Sequence, residues 1–172
     1  MKILMLIDSL EVGGAETHLC SLCAQLKKEG HSIIVASSGG KMLYILQNVG
    51  VKHHFLPSFN IKFPQRAQNK LKCTSIADAI KKLLQIVILE KPDIVHAHTR
   101  KTSFIANIVC KNQKIPLIST AHAMFSMKGY KGILSLWGDG TIAVSEDIAK
   151  HISKHSLIKP KRLRVIRNGV FI

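Results

Sequence analysis

The chain has 172 residues, of which 47% are hydrophobic and 20% are charged. This composition is that of a globular protein large enough to bury a core, and it excludes a disordered chain. No apolar run approaches the roughly 20 residues that cross a bilayer, and the amino-terminal "MKILMLID" lacks the features of a signal peptide, which predicts a cytoplasmic protein.

The chain is strongly basic, with 25 Lys and Arg against 10 Asp and Glu and a formal net charge of +15. Residues 30–77 and 148–172 contain no acidic residue. Such a charge attracts phosphates, nucleic acid or an anionic membrane surface, and it also occurs as an ordinary solvated lysine surface. Aromatic residues are scarce, at 5%, and no clustered aromatic–basic motif occurs, so nucleic acid is not a predicted partner.

Short apolar runs rich in β-branched residues alternate with longer segments of helical period. In chain order, the predicted strands are 2–8, 32–38, 51–57, 93–99, 116–122, 140–145 and 163–168. The predicted helices are 14–29, 41–49, 66–90, 101–113 and 146–155, and 58–70 is predicted to be a loop. Strands that are apolar throughout are covered on both faces. The alternation therefore predicts one α/β domain, a Rossmann-like, doubly wound, mostly parallel sheet of about seven strands with helices on both faces.

Two adjacent glycines, Gly13 and Gly14, stand between the first predicted strand and the first helix. A glycine backbone allows an anion to approach closely, and a helix N-terminus offers unpaired N–H groups; the alternative is a tight turn without a ligand. Neither G-x-G-x-x-G nor the P-loop motif occurs, which disfavours common NAD enzymes and P-loop ATPases. Glu16 suits the helix dipole but repels phosphate, so it is expected to face a sugar hydroxyl or a cationic group.

Imidazole and hydroxyl groups follow three further predicted strands. His96, His98 and Thr99 end the fourth strand, His122 ends the fifth, and Ser145 follows the sixth. Ligands of open α/β sheets bind beyond the carboxyl ends of the strands, so these groups and the glycines are expected to meet at one crevice. His122 is a candidate ligand for phosphate or a sugar hydroxyl, or an acid–base group near neutral pH. Ser145 is predicted to be chiefly a helix N-cap.

Two patterns that are typical of metal or redox sites receive a structural interpretation. Cys20 and Cys23 form a C-x-x-C inside a predicted helix without a partner pair at zinc spacing, so both are predicted to be buried. His96 and His98 share one strand face, but no third ligand stands at a diagnostic spacing. No metal ligand is predicted.

Five segments in order carry a family resemblance: "ILMLIDSLEVGGAETHLCSLCAQLKKEGHSIIVAS", "KPDIVHAHT", "PLISTAHAMFS", "TIAVSEDI" and "VIRNGV". Together they resemble the N-terminal domain of family 4 retaining glycosyltransferases, over essentially the whole chain. The resemblance implies the N-terminal half of the GT-B architecture, in which two Rossmann-like domains face each other across a cleft. It also implies an enzyme that transfers a sugar from a UDP- or GDP-sugar to a polysaccharide, lipopolysaccharide or glycolipid acceptor. Anomeric configuration would be retained, and no metal or other cofactor would be required.

The resemblance further implies roles for individual residues. Gly13 and Gly14 would approach the diphosphate of the donor, and His122 would be the catalytic residue at the reaction centre. The remaining donor-side residues would be Glu16, Ser145, Asn168 and Gly169, and the acceptor side would be lined by His96, His98 and Thr99.

The donor-binding C-terminal domain of that family, with its E-x7-E pair of glutamates, has no counterpart within residues 1–172. Residues 1–172 are therefore expected to be the acceptor-side domain alone, with little or no activity. The basic acid-free segment, with Phe55, Phe59 and Phe63 among residues such as Lys52 and Lys62, is expected to contact the inner face of the cell membrane peripherally.

Two other functions are compatible with parts of the sequence. A nucleotide-sugar epimerase has the same two-domain shape, but it needs acid–base carboxylates in the cleft, and no acidic residue follows the fourth or fifth predicted strand. A non-catalytic basic domain that binds anionic membrane or nucleic acid would account for the charge. It would leave the ordered groups at the strand ends unexplained.

Overall fold

The computed structural model describes residues 1–59, 75–125, 136–155 and 160–169. One sheet contains seven strands: β1 Lys2–Leu6, β2 Ser32–Ser37, β3 Lys52–Phe55, β4 Ile94–Ala97, β5 Leu117–Ala121, β6 Gly140–Ala143 and β7 Leu163–Val165. Five α-helices are described: α1 Gly14–Lys28, α2 Leu43–Asn48, α3 Ile76–Glu90, α4 Arg100–Gln113 and α5 Glu146–His155. A 3₁₀ turn over Pro160–Arg162 precedes β7.

The strands lie in the order β3-β2-β1-β4-β5-β6-β7, and every neighbouring pair is parallel. The prediction of a Rossmann-like, doubly wound sheet is confirmed. The strand order reverses between β1 and β4, and ligands of such sheets bind at this switch point, beyond the carboxyl ends of the strands. The backbone N–H of His98 donates to the carbonyl of Leu6 at 2.8 Å, which aligns the ends of β4 and β1.

From Ile3 to Leu6 the central strand β1 is apolar, because both faces of the sheet are covered there. In β1, Ile3 and Met5 pack into a core with residues of α1 and α2. Leu4 and Leu6 point to the other face and pack with residues of α3 and α4. A smaller cluster, which includes Trp137 and residues of α5, covers the β6 end of the sheet. The site at the switch point is therefore supported by packed layers on both sides.

Helix α3 begins later than the predicted start at residue 66. Ser75 has an extended backbone, with φ −65° and ψ 155°, and its side chain accepts a hydrogen bond from the N–H of Asp78 at 3.1 Å. This N-cap fixes the first helical residue as Ile76. The remainder of the predicted helical start lies outside the described residues.

The two cysteines of the C-x-x-C lie on the buried face of α1 and pack into the core, as predicted. Burial raises the pKa of Cys23 to about 12 and also raises the pKa of Cys20. Neither thiol therefore has the thiolate character of a redox cysteine near neutral pH. Of the helices that the structure describes, none is both long enough and apolar enough to cross a membrane.

The basic segment differs from the predicted membrane-contacting surface. Phe59 is only 1% exposed, so the prediction that it faces a membrane is wrong. Lys52 is exposed, but its Nζ lies 2.6 Å from Oε1 of the buried Glu90, and this hydrogen bond is the main cause of the lowered pKa of Glu90. Phe55 is exposed. The predicted contacts of Lys62 and Phe63 lie outside the described residues.

Candidate functional site

Helix α1 begins directly after the loop that leaves β1. Gly13 is its N-cap, with φ −171° and ψ 170°, an extended conformation that any residue adopts. A Cβ added to Gly14 would meet no atom within 4 Å, and no side chain caps this helix in the described part of the chain. Neither glycine is thus required by the backbone of the turn. The first-turn N–H groups of α1 remain available to an anion.

Glu16 in the first turn of α1 folds back toward Gly13. Its carboxylate occupies the space that a Cβ on Gly13 would need. A carboxylate at this position interacts favourably with the positive end of the helix dipole. The side chain thus lies over the backbone at which the donor phosphate is expected to approach.

A second glycine pair, which the sequence reasoning did not identify, holds the β1–α1 loop from the side. The N–H of Leu10 donates to the carbonyl of Gly39 at 2.8 Å, and the N–H of Met42 donates to the carbonyl of Leu10 at 2.7 Å. Gly40 has φ +145°, and a Cβ there would lie 2.6 Å from the carbonyl oxygen of Leu10. The signal in the sequence was the "SSGGK" that follows the second predicted strand.

Four imidazoles meet at the carboxyl ends of β4 and β5. His98 Nδ1 lies 3.2 Å from His122 Nε2, and the rings of His96 and His98 are 4.2 Å apart between centroids. His96 Nε2 makes a 2.7 Å hydrogen bond with the hydroxyl of Thr120. His18, on α1, places its ring centroid 5.8 Å from that of His98 and 5.1 Å from that of His122.

His18 was not predicted as a site residue. It stands four positions after Gly14, and residues four apart lie on the same helix face. The first turn of α1 and the histidine cluster (His18, His96, His98 and His122) are therefore neighbours. This junction brings together Gly13, Gly14 and three of the histidines predicted for the crevice.

Burial controls the protonation of the histidine cluster. It lowers the pKa of His96 to about 4 and holds the pKa of His98 well below its usual value. The pKa of His122 is lowered to about 4, first by burial and then by the neighbouring charge of His18, whose own pKa burial lowers. All four rings are consequently neutral near neutral pH, and each offers one donor and one acceptor nitrogen.

The other predicted site residues either cap helices or lie away from the histidine cluster. Thr99 caps α4 through a reciprocal pair of hydrogen bonds with Thr102, each of 3.3 Å. The hydroxyl of Ser145 accepts a hydrogen bond from the N–H of Ile148 at 3.3 Å, which confirms the predicted cap of α5. Asn168 and Gly169 are exposed and follow β7, the edge strand. Donor or acceptor contacts of these four residues stay predictions.

Two further contacts position the loops around the cluster. Asp8, after β1, accepts a hydrogen bond from Lys101 Nζ at 2.7 Å, which ties this loop to the first turn of α4. His151 of α5 bonds to the carbonyl of Phe125 at 2.7 Å, and the guanidinium of Arg100 lies 5.2 Å from the Phe125 ring centre. The segment after His122 is thereby held on two sides. Sequence reasoning missed these contacts because they join distant elements.

A protein-family model described as "Glycosyltransferase Family 4" matches residues 12–171 of the chain. The search of curated proteins with this chain found no match.

Similar folds occur in solved structures. Anabaena Alr3699/HepE in complex with UDP and glucose superposes with a TM-score of 0.75 at 20% identity, covering 99% of this chain and 45% of that one. A glycosyltransferase from Rickettsia africae superposes with a TM-score of 0.69 at 23% identity, covering 98% of this chain and 43% of that one. UDP-GlcNAc 2-epimerase from Neisseria meningitidis superposes with a TM-score of 0.59 at 17% identity, covering 98% of this chain and 47% of that one. The chain thus spans less than half the length of each of these proteins, and likenesses at these identities concern the fold.

Proposed function

The chain belongs to glycosyltransferase family 4, and from this we propose that it forms the half of a sugar-transferring enzyme that faces the donor diphosphate and binds the acceptor. The donor is a nucleotide-sugar, and UDP-sugars are favoured over GDP-sugars because the similar Anabaena structure contains UDP. The acceptor is a polysaccharide, lipopolysaccharide or glycolipid, and the anomeric configuration is retained. We expect a second domain to hold the nucleotide, so the chain by itself binds the donor weakly.

The observation that carries the proposal is the junction between the start of α1 and the histidine cluster. Gly14 leaves open space at an uncapped helix N-terminus, although the backbone there demands no glycine. An anion that approaches this end gains hydrogen bonds from N–H groups and the favourable end of the helix dipole. The neutral rings lie beside it at the switch point of the sheet.

The chemistry follows from this arrangement. The acceptor hydroxyl oxygen forms a bond to the anomeric carbon and gives up its proton as the bond from that carbon to the diphosphate breaks. Negative charge accumulates on the leaving phosphate, and preorganised N–H groups at Gly14 and the next residues stabilise it. His122, neutral near pH 7, donates a hydrogen bond to a sugar hydroxyl or to the phosphate. His98 holds the His122 ring through the 3.2 Å contact between their nitrogens.

The proposal includes the cellular location of the enzyme. We place it at the cytoplasmic face of the membrane, where a lipid-linked acceptor is presented and where basic side chains meet anionic lipid. The described part of the basic segment offers Tyr44 and Phe55 as its exposed aromatic side chains.

Replacement of Gly14 with alanine tests the proposal. The methyl group enters open space and alanine favours the helix, so the free energy of unfolding is expected to stay the same or rise by up to about 1 kcal/mol. Binding of UDP-glucose, measured by NMR titration at millimolar ligand, is expected to weaken about tenfold because the methyl group keeps the phosphate off the backbone.

Gly140→Ala is the matched control, since Gly140 has no positive φ and lies at the amino end of β6, away from the site. It is expected to leave UDP-glucose binding unchanged. If Gly14→Ala binds as tightly as the parent chain, the glycines form only a turn and the proposal fails. Conversion of UDP-GlcNAc to its epimer by the complete enzyme, without transfer to an acceptor, would identify an epimerase instead.

Replacement of Glu16 with glutamine is expected to strengthen UDP binding by roughly three- to tenfold, because it removes a negative charge from the phosphate position. The same change is expected to cost about 0.3–1 kcal/mol of stability through the lost interaction with the helix dipole. Calorimetric or NMR titration with UDP gives the first quantity and urea unfolding gives the second.

Glu29→Gln removes the same charge from the other end of α1 and serves as the control. Its UDP affinity should match that of the parent chain. Weaker binding in Glu16→Gln would show that the carboxylate contacts the donor directly, for example through a sugar hydroxyl.

A further inference from the structure

His18, His98 and His122 direct one ring nitrogen each toward a common region, and these three atoms lie within 4.8 Å of one another. We propose that the three side chains bind one divalent transition metal ion, foremost Zn²⁺, in a tetrahedral site whose fourth position is open to the cleft. The proposal concerns metal binding alone, and a His122 ring that holds the ion through Nε2 no longer makes the contact with His98 that the sugar-transfer proposal uses.

The distances suit such an ion with little movement. Zinc–nitrogen bonds of 2.0–2.1 Å at tetrahedral angles place two ligand nitrogens roughly 3.3–3.4 Å apart. His98 Nδ1 and His122 Nε2 are already 3.2 Å apart. His18 is only partly buried, so its side chain has room to adjust toward them. The third ligand comes from α1, which is why the spacing of His96 and His98 did not indicate a site.

The donor set selects the kind of ion. Three imidazoles suit Zn²⁺, Co²⁺, Ni²⁺ or Cu²⁺, whereas Mg²⁺ and Ca²⁺ prefer oxygen ligands. His96 stands outside the set, because its Nε2 is engaged with the hydroxyl of Thr120 at 2.7 Å. Neutral rings have a free lone pair, so no proton has to be displaced from a charged imidazolium before the metal binds.

The second nitrogens of the two strand-end rings have no partner among the residues described. In the described part of the chain, His98 Nε2 and His122 Nδ1 are buried without a hydrogen-bond partner. His98 is only 2% exposed. These two nitrogens are not those of the 3.2 Å contact that the metal would engage, so the metal leaves them unpartnered. A metal ion replaces the single contact between the two rings with two metal–nitrogen bonds.

The same nitrogens set the expected strength of the site. Ligating histidines usually donate their second N–H to a carbonyl or carboxylate, and such partners strengthen a site by roughly 10- to 100-fold. His98 and His122 lack these partners among the described residues. We therefore expect a dissociation constant for Zn²⁺ on the order of micromolar, weaker than in a structural zinc site.

The experiment is a titration of the untagged chain with Zn²⁺ against a chromophoric chelator, repeated with Co²⁺ while its visible absorption is recorded. We expect one equivalent of metal and the intense visible bands of four- or five-coordinate cobalt, without a thiolate charge-transfer band. His18→Ala and His122→Ala, both at partly exposed positions, are each expected to weaken binding by more than about 100-fold, beyond the effect of losing an outer-shell partner.

Controls keep the result interpretable when a variant loses stability. His31→Ala changes a histidine outside the cluster and should bind metal like the parent chain. Circular dichroism confirms the fold of each variant, and ¹⁵N spectra of the histidine rings of the parent chain should show the metal at His18, His98 and His122. Unchanged affinity in His18→Ala and His122→Ala would overturn the proposal. So would loss of binding in Cys20→Ser/Cys23→Ser.

Discussion

Gly40→Ala is expected to lower the free energy of unfolding by about 2–4 kcal/mol, the sum of backbone strain and overpacking. Gly40 has φ +145°, a conformation that L-residues rarely adopt, and a Cβ would lie 2.6 Å from the carbonyl oxygen of Leu10. Since that obstacle is backbone, the β1–α1 loop has to move to make room. Urea unfolding of the variant and the parent chain measures the loss.

The same substitution is expected to weaken UDP-glucose binding, because Leu10 belongs to the loop that leads to Gly13. Gly30→Ala is the matched control, since Gly30 also has a positive φ, +84°, but a Cβ there would meet no atom within 4 Å. Strain alone predicts a loss of about 1 kcal/mol for this control and unchanged UDP-glucose binding. Equal losses in the two variants would show that the contact with Leu10 contributes nothing.

The fold could be predicted because its determinants are local in sequence. Most strands are short runs rich in apolar residues, and the helices that join most consecutive strands favour parallel pairing. Phe59 shows the limit of this reasoning. A phenylalanine among lysines was predicted to face a membrane, yet it is 1% exposed, because burial depends on which elements pack above it.

Part of the candidate site could be predicted because it follows from the topology of the sheet. The carboxyl ends of parallel strands meet at one edge, so the convergence of His98 and His122 followed from the predicted topology. His18 and Gly40 were missed because their roles depend on distances between a helix or loop and a strand end, which no spacing in the sequence encodes. Thr99 was assigned to the acceptor side, but its partner Thr102 replaces the usual Glu of a capping box, which concealed the cap.

Acidification from pH 6.5 to 5 is expected to destabilise the chain by about 2 kcal/mol through His96 and further through His98, by proton linkage. Both histidines titrate near 6.5 in the unfolded chain. In the folded chain the pKa of His96 is about 4 and that of His98 is well below 6.5, chiefly through burial. The unfolded state therefore binds more protons in this range. Their stabilising effect is complete above pH 6.5 and is lost as the pH falls toward 4.

Other titrating groups also contribute to the pH dependence of stability. His18 and His122 face His98 from α1 and the end of β5, and their pKa values are also lowered, so they act in the same direction. The lowered pKa of Glu90 contributes stability above about pH 4.5 that is lost at lower pH, outside the measured window. Urea unfolding at several pH values, with a chelator present, gives the profile.

His96→Gln separates the linkage effect from a general loss of stability. The variant is expected to be less stable at every pH, because the buried bond to Thr120 is altered, but its loss between pH 6.5 and 5 should be smaller by about 2 kcal/mol. If the parent chain keeps its stability down to pH 5, the four rings accept protons in the folded state. The cluster would then be cationic at acid pH, and the conclusion that burial lowers the pKa of its rings would fail.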